Sequence, residues 1–201
     1  MDRIRNLQHH LIEAIGTIIA RSHASRWLLL PLILLAGCAQ QADNGPVQGT
    51  GSTLCYVDFQ RCVNPIFEAT LQGQDGQVTC AGSGCHETDP NTGLPTGSGG
   101  DFHVYPHAES DTTGAQMQYN FTSALGEADL VDPSQSKLLL KPSASGRTAG
   151  VGHAGGNIFP TDSDACHVAI QTWISNRVAD ENDPNSCGFC VAPDLSTCGY
   201  H

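Results

Sequence analysis

The chain has 201 residues, nine of them cysteine, and 9 basic against 20 acidic side chains give a formal charge of −11. That length holds one domain of ordinary size plus a targeting segment. So acidic a surface repels phosphate backbones and sets nucleic acid aside as a partner, and nine cysteines set aside an ordinary reducing cytosol.

Residues 27–37 form an apolar run, Trp-Leu-Leu-Leu-Pro-Leu-Ile-Leu-Leu-Ala-Gly, with Arg21 and Arg26 ahead of it and Cys38 behind. A basic flank, an apolar stretch too short to span a bilayer and small residues at its exit make a secretory signal. Leu35-Ala36-Gly37-Cys38 resembles the lipobox of bacterial lipoproteins. The resemblance implies that residues 1–37 are removed, that Cys38 carries the lipid, and that Ala39 after it directs the chain to the outer membrane of a Gram-negative host. An anchor retained uncleaved is the alternative. Cleavage leaves 5 basic and 18 acidic residues, a charge of −13, which favours a basic docking partner. Residues 38–54 are polar and rich in Gly and Gln, and read as a flexible tether.

From about Leu54 the character changes. Asn64-Pro65 reads as a helix start, with Asn as cap and Pro at the first helical position. Ile66, Phe67, Thr70 and Leu71 follow at helical spacing, and Gly73 and Gly76 end the run. Next comes Cys80-Ala-Gly-Ser-Gly-Cys85-His86. Two cysteines followed at once by a histidine is how a c-type haem is held: each thiol adds across a vinyl group, and the adjacent imidazole ligates the iron. The usual spacing is C-x-x-C-H. The four intervening residues here require a loop, for which Gly82 and Gly84 are suited. Covalent attachment follows translocation in bacteria, so the export signal and this motif support one another.

The middle of the chain is dominated by Gly, Pro, Ser, Thr and Asp, with short helices expected only around Gln116–Leu125 and Ser136–Leu140. So long an irregular stretch needs a substitute core, which a buried haem supplies. A last helix is expected after Asp162-Ser163-Asp164, with Cys166, Ala169, Ile170, Trp173, Ile174 and Val178 on its apolar face. Apart from Cys38, Cys80 and Cys85, six cysteines remain: Cys55, Cys62, Cys166, Cys187, Cys190 and Cys198. They suffice for three disulfides of open connectivity, one of which could join the first and last helices through Cys166. Cys187-Gly-Phe-Cys190 is followed by Val191 rather than His, so it is not a second haem motif. It lacks the βαβ context of a thioredoxin-like pair. Zinc held with Cys198 and His201 is less suited to an oxidising compartment than disulfide. Residues 181–201 read as a disulfide-stapled tail, and Asp89-Pro-Asn-Thr-Gly93 as a solvated turn rather than a calcium loop.

In order along residues 55–180 stand Cys62-Val-Asn-Pro-Ile-Phe67, the C-x4-C-H, Val131-Asp-Pro133, Ser136-Lys-Leu-Leu-Leu-Lys-Pro142, His153-Ala-Gly-Gly156 and Trp173-Ile174. The series resembles the cytochrome c-like domains of exported planctomycete and myxobacterial proteins, departing from them in cysteine spacing and in its additional cysteines. The resemblance implies an all-α, cytochrome c-like fold with short helices and long loops wrapped around one covalent haem c. It also implies that His153, in the H-x-G-G position, is the distal ligand. Met117, His103 and His107 are the other candidates, while His167 reads as a histidine on a helix rim. The function expected is electron transfer without bond-making chemistry, by a membrane-tethered monohaem cytochrome with a redox protein as partner. The alternatives are a haem peroxidase or gas sensor with an open distal site, and a haem-free, disulfide-rich binding lipoprotein.

Overall fold

The computed structural model describes residues 51–201. The expected signal at 1–37, the lipidation site Cys38 and most of the tether lie outside the described residues. The tether's expected last residues, Thr53–Leu54, form strand β1 and belong to the folded body.

The first helical run begins at Tyr56, not at Asn64. It passes through α1 (Tyr56–Asp58), a π-helical turn (Phe59–Val63) and α2 (Asn64–Glu68). Cys55 caps it, its sulfur accepting from the Asp58 N–H at 3.2 Å. Pro65 would normally stop such a run, because it has no N–H and its ring crowds the carbonyl four residues back. The π turn just ahead sends the Asn64 N–H back to the Phe59 carbonyl, and this local widening admits the proline. Asn64 is therefore an interior residue: its amide donates to Glu68 Oε1 at 2.8 Å, and its oxygen accepts from Asn120 at 2.9 Å. The run stops at Ala69, which is extended. Leu71 then opens a hairpin of β2 (Leu71–Gly73) and β3 (Gly76–Val78) rather than prolonging the helix.

The buried face of this run packs on α3 (Ala115–Glu127) and α6 (Ala165–Ser175). Phe59 is central, with its ring 5.4 Å from Trp173, 5.5 Å from Phe121 and 6.1 Å from Phe67. Trp173 Nε1 donates to the Cys55 carbonyl at 2.9 Å, which fixes the last helix against the cap of the first. Helix α6 starts where its sequence predicts. Asp164 accepts from the N–H groups of Cys166 and His167 at 2.9 and 3.3 Å, a cap worth about 1 kcal/mol. It ends at Ser175, and Arg177–Val178 becomes β4, antiparallel to β1. In the middle, α3 and α4 (Lys137–Leu140) arise where expected. Helix α5 (Ala144–Thr148), capped by Ser143, is an addition, as are the two small sheets β1–β4 and β2–β3 to an expected all-α architecture.

Two disulfides join Cys55 to Cys187 and Cys166 to Cys198. The expected bridge between the first and last helices is not made; each helix is bridged instead to the segment after β4. Residues 181–201 are thus packed structure rather than an appended tail, with Tyr56 N–H on the Glu181 carbonyl at 2.9 Å and Tyr200 N–H on Gln72 at 2.7 Å. Pairing of Cys187 and Cys198 with these partners also removes the zinc alternative and the Cys187–Cys190 redox pair.

Glu68, at the end of α2, accepts from Asn64 and from the Ala108 N–H at 3.1 Å. Burial, then a hydrogen bond with Glu109, pushes its carboxyl up to about 7, while the same contact holds Glu109 low. The folded state therefore holds a proton that the unfolded chain releases at lower pH. This contribution is full below the ordinary carboxylate range and is lost as pH rises through about 7. Glu68→Gln, which keeps a donor towards Glu109, is expected to flatten that loss, measured as unfolding midpoints in urea between pH 4.5 and 7.5.

Candidate functional site

The Cys80–His86 loop is built by short backbone hydrogen bonds. Gly82 N–H reaches Thr79 at 3.0 Å, Cys85 N–H reaches Gly82 at 3.0 Å, and His86 N–H returns to Cys80 at 3.1 Å. Successive turns take up the additional residues, and Gly84 alone of the two loop glycines adopts positive φ, at 86°. The loop is tied to the first helical run by Ala81 N–H on Phe67 at 2.8 Å, and to the following strand-like segment by Val104 N–H on His86 at 2.7 Å. Gly99 passes over the His86 ring so closely that a Cβ there would collide with Nδ1.

His153 approaches from the far side of the chain. Gly156, at φ 72°, closes a tight turn whose N–H donates to the His153 carbonyl at 3.1 Å. Asn157 holds this turn to the β2–β3 hairpin: its carbonyl accepts from Gln74 N–H, and its amide donates to the Gln74 side chain, both at 2.8 Å. The outcome is two imidazoles with ring centroids 6.0 Å apart and planes only 11° from parallel.

The hydrogen bonds of the two rings match as well. His86 Nδ1 donates to the Phe102 carbonyl at 2.8 Å, and His153 Nδ1 to the Gly156 carbonyl at 2.9 Å. Each bond selects the tautomer that leaves the Nε2 lone pair free, the arrangement found behind metal-ligating histidines. Burial, the largest influence on His86, lowers its pKa and favours the neutral form a ligand needs.

Cys80, His86, Lys141, His153 and Ile158 are common to two adjoining cavities, of about 500 and 830 Å³ including their mouths. The inner one is walled by Ile66, Phe67, Phe102, Leu138, Phe159 and Ile170. The outer one adds Cys85 and the glycine loops at 99–100 and 152–155. Lys137 and Lys141, two of the five basic residues beyond position 37, stand at the inner cavity, Lys137 being paired with Glu127 at 3.4 Å. Cys80 and Cys85 are free thiols, and burial pushes Cys80 up to about 12, so it is neutral. Two neighbouring imidazoles with Nε2 free of hydrogen bonds are of the kind that ligate a transition-metal ion, and two thiols in the same wall can carry a covalent group.

The other expected ligands lie elsewhere or are otherwise engaged. Met117 is buried beside a separate pocket with His107 and Glu109. His107 is exposed, at a left-handed φ of 58°. His167 is buried edge-on to Phe159 at 5.9 Å. His103 is close enough to His86 to depress its pKa, but it does not line either cavity. Gly99 and the Phe102 carbonyl are site features that no sequence motif announced, and Lys141 belongs to the Ser136–Pro142 motif, which gave it no role at the site. Protein-family models, curated proteins and solved structures return no match to this chain.

Proposed function

We propose that the protein is a membrane-tethered, monohaem c-type cytochrome that carries electrons to or from a redox protein. The observation that carries this reading is the pair of parallel rings His86 and His153, each with Nδ1 on a backbone carbonyl, beside free Cys80 and Cys85. Bound haem c supplies a one-electron Fe(III)/Fe(II) couple. Cys80 and Cys85 would carry the covalent bonds to the haem, and His86 and His153 would hold its iron, which would leave it to electron transfer rather than substrate chemistry. Ile66, Phe67, Phe102 and Phe159 exclude water, and Lys141, with Lys137 beside its Glu127 partner, would offer positive charge to the haem carboxylates. Lipid on Cys38 holds the chain at the outer membrane. Its acidic surface steers a basic partner, with a rate that falls as salt is added.

A pyridine haemochrome spectrum of the purified exported protein, with haem staining after denaturing electrophoresis, tests the proposal. Stoichiometric covalent haem is expected, and a colourless chain would sink it. Gly99→Ala is expected to displace the His86 ring and to cut haem occupancy severalfold in the same assay. Gly126→Ala, where a Cβ meets nothing within 4 Å, is expected to leave occupancy unchanged.

A further inference from the structure

Among the described residues four cysteines are free of the two disulfides, and of these only Cys80 and Cys85 line the cavities described above. The other two, Cys62 and Cys190, are buried together in the core at 0% and 3% exposure. Cys55 caps the first helical run, Asp58 follows in its first turn, and Cys62 lies in the π-helical turn. The segment Cys187–Cys190 packs along this run. Cys187 is bonded to Cys55. The buried Asp58 carboxylate accepts from Gly188 N–H at 2.9 and 3.0 Å and from Phe189 N–H at 3.2 Å. Cys190 and Cys62 then lie close enough for each thiol to influence the other, while Cys190 Sγ donates to the Ala169 carbonyl at 3.6 Å. The register is set by the Cys55–Cys187 bond and the contacts of Gly188 and Phe189 with Asp58, which carry the segment along the run towards Cys62. The pairing that seats Cys187 on Cys55 therefore brings Cys190 opposite Cys62.

We propose that Cys62 and Cys190 form a third disulfide, made by exchange with an external disulfide after export. One of the two, as thiolate, attacks a sulfur of the external R–S–S–R and expels RS⁻. The other thiolate attacks the resulting mixed disulfide at the protein sulfur and expels the second RS⁻. Two protein thiols are oxidised, one external disulfide is reduced, and the two protons pass to the thiolates released. Burial raises the pKa of both thiols in the folded chain, so exchange takes place before segment 187–190 seats, and the finished bond is shielded from reductant afterwards. The bond pins that segment to the helix at both ends of the Asp58 contact.

The test is a disulfide map of the full exported protein, alkylated in denaturant without reductant, digested and read by mass spectrometry. The expected result is one peptide pair linking Cys62 to Cys190, two hydrogens lighter than the reduced pair, with neither residue alkylated. Alkylation of both residues, or a bond from either to a different cysteine, overturns the proposal. In Cys62→Ser, Cys190 is expected to become the one newly alkylated thiol; the wild-type map decides the question even if this variant fails to fold. The same map reports Cys80 and Cys85 separately, so failure of the haem assignment leaves the Cys62–Cys190 result standing.

Discussion

Replacing Cys80 and Cys85 together by alanine is expected to remove all haem staining from the denatured chain, whereas either replacement alone leaves a single thioether. The single variants retain one unreacted vinyl group, which extends conjugation of the ring and shifts the pyridine haemochrome band to longer wavelength than in wild type. The four-residue spacing poses no geometric obstacle. The turns at Thr79–Gly82 and Gly82–Cys85 fold the loop back so that His86 N–H still meets the Cys80 carbonyl at 3.1 Å. If Cys80 and Cys85 instead served as one more disulfide, all three variants and the wild type would be equally colourless, and the electron-carrier proposal would fall with them.

His153→Ala is expected to have the second large effect, and a different one. Haem should remain attached through both cysteines while the iron loses an axial ligand and changes from low to high spin, visible in absorption and EPR spectra. A side chain held in place competes at an effective concentration in the millimolar range or above. Added imidazole or cyanide should therefore bind the variant at concentrations that leave wild type untouched. His153→Met should restore low spin and raise the reduction potential, by a share of the roughly 0.8 V that axial ligands span. An unchanged spectrum in His153→Ala would transfer the distal role to another group or leave the position open, and would favour the peroxidase or sensor alternative.

Local patterns in the sequence located features of strong period or short range. The cap and apolar stripe of α6 are visible because Asp164 and the residues at 166, 169, 170, 173 and 174 lie within one helix. The pairing of His86 with His153 was reachable through the H-x-G-G resemblance, but its physical reasons are not local. They are the Phe102 and Gly156 carbonyls that orient the rings. The start of the first helical run was misplaced because Asn64-Pro65 has the composition of a helix start. Only the π turn before it, a backbone feature without a residue signature, makes that dipeptide an interior one. Strands β1 and β4 span two residues each, too few to show alternation. The bridges of Cys55 and Cys166 join segments 132 and 32 residues apart, and no count of cysteines selects among the possible pairings.

The Cys55–Cys187 closure and the β1–β4 pairing both require the last part of the chain to find the first. In a polypeptide threaded across a membrane from its N-terminus, Cys55, Cys62, Cys80 and Cys85 all arrive before any cysteine of the 187–198 region. For that interval the four thiols have only one another and, once it emerges, Cys166 as partners, and none of the resulting bonds occurs in the folded protein. On the proposed function, maturation would be a race between haem attachment at positions 80 and 85 and oxidation of the wrong pairs. The yield of native protein should depend on disulfide reshuffling as much as on haem supply.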